Sequence, residues 1–98
     1  MTIRFAAKAL EELAQAWEWY ENASPGLGEA FYDEIERTVA HILSYPYAFP
    51  EKSNGFRCVL IHRFPFALWY GVNDMNITVL AVANTHRKPD YWLDRIPE

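Results

Sequence analysis

The hydrophobic period changes once along this chain, and that change most constrains its fold. Between residues 7 and 44, apolar side chains recur every three or four positions, which is the spacing of one helix face. After a loop at 45–55 that contains Pro46 and Pro50, they alternate with a period of two, as they do in strands. A chain of 98 residues has room for one domain. The pattern therefore predicts helices from the first half packed on a sheet built mainly from the second half.

Two helices are predicted in the first half. The first covers 7–21 and the second ends at Ser44, with a break between them at 22–26. We expect Ser24 to cap the second helix and Pro25 to occupy its first turn, where a missing N–H costs nothing. Because the break is short, the helices should form an antiparallel hairpin. The side chains expected to face the core are Leu10, Leu13, Ala14, Trp17 and Tyr20 in the first helix and Leu27, Phe31, Ile35, Val39 and Ile42 in the second.

Strands are predicted where apolar and polar side chains alternate. A short first strand is expected at 2–6, and a β-branched run at 77–83 is typical of a strand buried on both faces. The predicted fold is α+β in the order β-α-α-β-β-β, one domain over residues 1–98: an antiparallel sheet with an antiparallel helical hairpin packed on one face and a short C-terminal helical turn. The remaining expected elements are strands at 56–62 and 64–72, a turn at 73–76 and a helical turn at 88–95.

The charge of the chain is unevenly distributed. Residues 1–55 carry four Lys or Arg against nine Asp or Glu, whereas residues 56–98 carry five against four. The formal net charge is −4. Because a protein that only grips phosphates is usually basic, this composition argues against nucleic acid as the sole partner.

Composition also bears on cofactors and location. The single cysteine, Cys58, excludes an internal disulfide framework, and no Cys/His spacing resembles a zinc site, so we expect no metal and no cofactor. No apolar run approaches the length of a membrane span, and the first 13 residues contain no apolar run of signal-peptide length. A cytoplasmic location is therefore expected.

An ordered set of motifs makes the chain similar to a known family. It begins with the aromatic residues and the Pro-Gly-Leu-Gly break of Trp17–Gly28 and continues through the second half, and together the motifs resemble the RelE/ParE superfamily of bacterial toxins. The resemblance implies a ParE-like, plasmid-stabilisation-type toxin of a type II toxin–antitoxin module, on the fold described above. It also implies a partly disordered antitoxin that folds over the apolar surface of the toxin. The other motifs are Glu34–Glu36, Gly55–Leu60, Arg63–Tyr70, Val79–Val82, Arg87, Pro89 and Trp92.

Two toxin activities occur on this fold in the family. ParE-like members trap DNA gyrase on cleaved DNA, and RelE-like members cut messenger RNA in the ribosomal A site. The acidic net charge and the lack of a dense set of Lys, Arg, His and Tyr favour inhibition of bacterial growth by poisoning of DNA gyrase, which is a binding activity. Two alternatives stay open: a RelE-like ribosome-dependent mRNA endoribonuclease, and a non-toxic member that only binds the antitoxin.

The endoribonuclease alternative points to four candidate catalytic residues. Metal-free cleavage of RNA needs a base, an acid and cations for the phosphate. Arg57, Arg63 and Arg87 could supply the cations, and His86 is the nearest proton-transfer group. Where the family commonly has a histidine, this chain has Asn84, and His86 follows two residues later. The plainer interpretation is that the three arginines are exposed charges at the sheet edge or partners for antitoxin carboxylates.

Aromatic residues near the candidate site have their own interpretations. Tyr91 and Trp92 are expected to pack the C-terminal tail against the sheet rather than to bind a nucleobase. Trp19 lies off the predicted apolar stripe, where an exposed tryptophan can mark a binding surface. We expect the antitoxin interface on the β-strand region, because its apolar surface and free strand edges invite the addition of a strand.

Overall fold

Two helices and five strands form the part of the chain that the computed structural model describes, residues 1–96. They confirm the predicted α+β class and the order of the predicted elements. The predicted loop at 45–55 contains one additional short strand. Within residues 1–96, no helix combines the length and the apolar character that a membrane span requires. The elements are β1 (Thr2–Phe5), α1 (Ala7–Ala23), α2 (Leu27–Ser44), β2 (Glu51–Ser53), β3 (Phe56–Leu60), β4 (Phe66–Asn73), β5 (Asn76–Asn84) and a C-terminal 3₁₀ turn (Leu93–Arg95).

The sheet has the strand order β1-β5-β4-β3-β2. Strands β3 to β5 are antiparallel neighbours, as predicted, and the additional strand β2 is antiparallel to β3. Strand β1, however, pairs with β5 in parallel, so the sheet is mixed rather than purely antiparallel. Tight turns can join only antiparallel neighbours, whereas β1 reaches the rest of the sheet through two helices, a connection long enough for a parallel pair. The pairing of β1 ends at Phe5, opposite Val79, so the second half of β5 extends beyond it.

The sheet is covered on both faces, which explains the apolar sequence of β5. The helical hairpin covers one face, where Val79 and Val82 pack against residues such as Phe31. A bulge at Leu80 and Ala81 turns both of these side chains to the opposite face. There the C-terminal segment covers the sheet, and Trp92 is fully buried against it. The prediction of a strand buried on both faces is confirmed.

The break between the helices has a different structure from the predicted one. Ser24 ends α1, where its N–H donates to the carbonyl of Tyr20, and α2 begins only at Leu27. Gly26 precedes α2 with a φ of +89°, a conformation that favours glycine. The prediction that Ser24 caps α2 with Pro25 in its first turn is therefore wrong. The carboxylate of Glu21, at the end of α1, instead accepts the N–H groups of Gly26 (3.0 Å) and of Gly28 (3.0 Å).

The face that α1 presents to the sheet also differs from the prediction. Ala9 and Ala16 are its buried residues, whereas Leu10, Ala14 and Trp17 are exposed. Small side chains let the helix approach the sheet closely, and the larger apolar ones then lie on its outer side. The apolar stripe of α2 is confirmed, because its predicted members are all buried or partly buried. The remaining predicted core residues of α1, which are partly buried, are Leu13 and Tyr20.

Candidate functional site

One carboxylate joins α1, β5 and the C-terminal segment. Glu12, largely buried on α1, accepts the backbone N–H of Val82 at 3.0 Å. Because β1 is paired only as far as Val79, this N–H lies beyond the end of the neighbouring strand, and Glu12 supplies its acceptor. The guanidinium of Arg95 donates to both carboxylate oxygens, at 2.8 and 3.1 Å, and also to the carbonyl of Leu80 at 3.1 Å. The two side chains together supply hydrogen-bond partners for the backbone groups of Val82 and Leu80, and they hold the C-terminal segment against β5.

Tyr91 completes this cluster. Its hydroxyl donates to Glu12, and the guanidinium of Arg87 stacks on its ring at 3.8 Å from the centroid. Arg87 also lies 3.8 Å from a Glu12 oxygen. Burial, and then the hydrogen bond to Glu12, raise the pKa of Tyr91, and the hydrogen bond to Glu12 raises the pKa of Arg95. The phenol is therefore held as a neutral donor within a charged network.

The C-terminal segment packs on the sheet through Trp92. Its ring lies 4.8 Å from that of Trp69 and 5.4 Å from that of Phe56, centroid to centroid. The prediction that Trp92 packs the tail against the sheet is confirmed. The helical turn expected at 88–95 is shorter, since only Leu93–Arg95 form a 3₁₀ turn, and Asp90 has a φ of +62°.

The side chain of Arg57, the first candidate catalytic arginine, forms hydrogen bonds with the loop that precedes β2. One of its nitrogens donates to the carbonyls of Tyr47 (3.2 Å) and Phe49 (2.5 Å), and the other donates to Glu51 (3.3 Å). The side chain is largely buried and lies against the ring of Tyr47. Its guanidinium is therefore directed at the loop that precedes β2.

The other three candidates lie on two neighbouring segments at one end of the sheet. The N–H of Thr85 donates to the carbonyl of Pro65 at 2.8 Å, which places the segment that carries His86 and Arg87 beside the loop that carries Arg63. All three side chains are exposed. Arg63 has a φ of +79°, and its guanidinium lies over the ring of the next residue.

Arg57 does not join them. It pairs with Tyr70 in β4, three residues from Ala67 at the end where the other candidates lie. At about 3.3 Å per residue this offset is about 10 Å along the strand. The structure thus places three of the four candidate residues on neighbouring segments at the same end of the sheet.

Asn84, the last residue of β5, shapes the segment that follows the strand. Its side-chain oxygen accepts the N–H of His86 at 2.8 Å, and its backbone carbonyl accepts the N–H of Arg87 at 3.0 Å. The side chain is thus used in a local turn, an ordinary role for asparagine. It sets the direction in which the following residues leave the sheet.

An apolar cavity of about 200 Å³ lies beside these residues, on the sheet face that carries the C-terminal segment. It extends from Leu60, whose side chain is 70% exposed, to Trp92. Within residues 1–96, β2 pairs only with Phe56 and Arg57, so no strand covers the outer edge of β3 from Cys58 to Leu60. An uncovered edge beside an apolar cavity is suited to binding an extended peptide.

A second cavity, of about 240 Å³, lies on the other side of Arg87 and Tyr91. Trp19, which is 73% exposed, lines it together with Gln15 and Asn84. The exposure of Trp19 confirms that it lies off the core stripe of α1. An exposed tryptophan beside an arginine is typical of protein-binding surfaces.

Glu12 is not among the residues that the sequence analysis singles out. Glu12 follows Ala9 by three residues and precedes Ala16 by four, so it shares their helix face. That relationship would have placed it near the sheet, had the alanines been recognised as the buried face. Among residues 1–96, no group of three or more His, Cys, Asp or Glu is placed to hold a metal ion.

Comparison with known proteins places these features in a family. Residues 3–89 match the family model described as ParE toxin of type II toxin–antitoxin system, parDE. The fold is similar to a solved structure titled chromosomal ParDE TA system from P. aeruginosa, with a TM-score of 0.75 and 19% identity over 86% of this chain and 95% of that one. No curated protein matches the sequence significantly. The family model covers most of the chain, which therefore belongs to the ParE toxin family of type II toxin–antitoxin systems.

Proposed function

We propose that this ParE-family protein stops bacterial growth by trapping DNA gyrase on cleaved DNA, and that a cognate antitoxin neutralises it. The observation that carries the proposal is the arrangement around Arg57 and Tyr91. The guanidinium of Arg57 is directed at loop carbonyls, and the hydroxyl of Tyr91 donates to Glu12. Nucleolytic catalysis needs such groups free to contact a phosphate or to move a proton, whereas a binding toxin needs only a surface.

That surface lies at the end of the sheet where β3 and β5 terminate. It includes the exposed Trp19 and Arg87, which line one cavity, and the exposed Arg63 in the loop that follows β3. Tryptophan and arginine are the side chains most often responsible for binding energy at protein interfaces. A protein target such as gyrase fits these groups better than naked nucleic acid, because the chain as a whole is acidic.

The antitoxin is proposed to dock beside this surface. An extended antitoxin segment would add a strand to the uncovered edge of β3 at Cys58–Leu60 and place apolar side chains in the adjacent cavity. Leu60 offers it an exposed apolar contact. Hydrogen exchange on the toxin–antitoxin complex would test this assignment. Protection confined to the turn between α1 and α2 would contradict it.

One observation favours a second candidate, the ribosome-dependent mRNA endoribonuclease. The contact between Thr85 and Pro65 brings Arg63, His86 and Arg87 to one end of the sheet. These three side chains would bind phosphate and transfer a proton. The candidate is the weaker one because its fourth residue, Arg57, lies apart and is already hydrogen-bonded.

Pulse-labelling separates the two candidates. The chain is induced alone in a bacterium, and incorporation of labelled thymidine and methionine is followed over the first minutes, with antitoxin co-expression as the control. Early loss of DNA synthesis, together with cleaved DNA trapped by purified gyrase and toxin, is the expected result. Early loss of translation would support the endoribonuclease instead. Undisturbed growth would contradict both and indicate a member that only binds the antitoxin.

A further inference from the structure

A long apolar groove lies between α1 and α2 on the outside of the helical hairpin. Two adjoining cavities of about 550 and 330 Å³ form it, and they share Leu10, Leu13, Tyr32 and Glu36 in their walls. Trp17 lines one of the two cavities and Leu43 lines the other. The groove is therefore one continuous surface rather than two separate hollows.

The groove exposes large apolar side chains that the fold leaves uncovered. Leu10, Trp17, Tyr32 and Leu43 are between 36% and 51% exposed. Leu10 and Trp17 lie outside because α1 presents its alanines to the sheet. Single exposed apolar residues are ordinary on a protein surface, but four that line one groove indicate a contact surface.

The dimensions of the groove fit a helix. The wall from Leu10 to Trp17 covers eight residues of α1, a rise of about 10 Å, and the wall from Tyr32 to Leu43 covers twelve residues of α2, a rise of about 16 Å. A groove of this length accepts two to three turns of an amphipathic helix, with apolar anchors at positions i, i+3 or i+4, and i+7.

The charge around the groove selects the partner. Glu29 and Glu36 line it directly, and neither forms an ion pair within residues 1–96. Both Lys/Arg cations of the hairpin are already paired: Lys8 with Glu11 at 3.5 Å, and Arg37 with Glu34 at 2.6 Å. The outer face is therefore acidic. A second copy of this chain, docked through the same groove, would bring like charges together, whereas a cationic partner would neutralise them.

We propose that the groove between α1 and α2 binds a cationic amphipathic helix of a partner protein. The helix inserts its apolar stripe between Leu10, Trp17 and Tyr32, and lysines or arginines on its flanks meet Glu29 and Glu36. This surface is separate from the edge of β3, and the proposal does not depend on which process the toxin inhibits.

Designed peptides test the proposal on the intact chain. Two helical peptides of about 18 residues carry the same leucine stripe, with lysines at the other positions in one and glutamates in the other. A third has the composition of the lysine peptide in scrambled order. Binding is followed by NMR through the indole N–H of Trp17 in the groove and of Trp19 outside it. The lysine peptide should shift the Trp17 signal saturably at 1:1 stoichiometry, and the other two should bind at least about tenfold more weakly.

Two charge-reversed variants of the chain locate the binding site. Glu36→Lys changes an acid in the groove, and Glu18→Lys changes an exposed acid of α1 that does not line it. Glu36→Lys should weaken binding of the lysine peptide about fivefold or more, and Glu18→Lys less than about twofold. Equal losses in both variants, or equal affinity for the ordered and scrambled lysine peptides, would show mere charge attraction and overturn the proposal. Self-association abolished by Leu10→Ser would also overturn it, in favour of a second copy as the occupant.

Discussion

The carboxylate of Glu12 accepts the backbone N–H of Val82 at 3.0 Å, and so a helix side chain takes the place of a strand beyond the end of β1. The same carboxylate accepts two hydrogen bonds from Arg95 and one from Tyr91. One residue of α1 therefore links the C-terminal segment to β5, in addition to the packing of Trp92 on the sheet. The candidate surface around Arg87 depends on that position.

Replacing this carboxylate should be costly. Glu12→Ala leaves a largely buried guanidinium, a partly buried phenol and a strand N–H without their acceptor, so we expect a loss of about 3–5 kcal/mol in the free energy of unfolding. Urea denaturation followed by circular dichroism measures it. Glu11→Ala is the matched control, because the exposed pair of Glu11 with Lys8 should contribute less than about 1 kcal/mol. Similar losses in the two variants would show that the Glu12 network contributes little.

The phenol of Tyr91 makes stability depend on alkaline pH. Its pKa is raised in the folded state above the ordinary value of about 10, by burial and by its hydrogen bond to Glu12. A group whose pKa is raised on folding contributes its full stabilisation below the unfolded pKa and loses it as the pH rises from there toward the folded pKa. The wild-type chain should therefore lose stability more steeply above about pH 10 than Tyr91→Phe does. Parallel curves of unfolding free energy against pH for the two proteins would contradict the assignment.

Gly28 is required by the close approach of the two helices. A Cβ atom on it would lie 2.9 Å from the backbone carbonyl oxygen of Trp17 and 3.0 Å from a Glu21 oxygen. Because the carbonyl belongs to the backbone of α1, it cannot move aside alone, and Gly28→Ala should cost about 1–3 kcal/mol despite the higher helix propensity of alanine. Thermal unfolding measures the effect. Glu29→Ala, at the next position, is exposed and should stay within about 0.5 kcal/mol of wild type.

Local patterns predict the elements of this fold better than their orientation. The stripe of α2 was predictable because Phe31 and Ile35 are both large and buried. The buried face of α1 was not, because hydrophobicity favours Leu10 and Trp17 over the small residues that the sheet accepts. The short strand β2 has too few residues for an alternating pattern to be recognised. Which face of a helix packs on the sheet depends on the space between the two elements, and this space cannot be predicted from the sequence of the helix alone.

The candidate site shows the same division. That Arg63, His86 and Arg87 lie at one sheet end follows from their positions at strand termini, which periodicity can locate. The roles of Arg57 and Glu12 cannot be predicted in this way, because their partners are backbone groups. Arg57 donates to backbone carbonyls, and Glu12 accepts a backbone N–H. Such partners carry no side-chain signature, and their positions are known only once the chain has folded.

Arg57 is the residue at which these two kinds of role can be separated by experiment. Its hydrogen bonds to the carbonyls of Tyr47 and Phe49 hold the loop before β2, so Arg57→Ala should lower the unfolding free energy by about 2–3 kcal/mol and speed hydrogen exchange in residues 45–51. Arg63→Ala removes an exposed arginine and should leave both quantities close to wild type. If the loop is the only role of Arg57, Arg57→Lys should weaken the loop without changing the proposed gyrase trapping at a temperature where the variant is folded. A folded Arg57→Lys variant with unchanged loop protection but no activity would instead place this guanidinium in the toxin's functional surface.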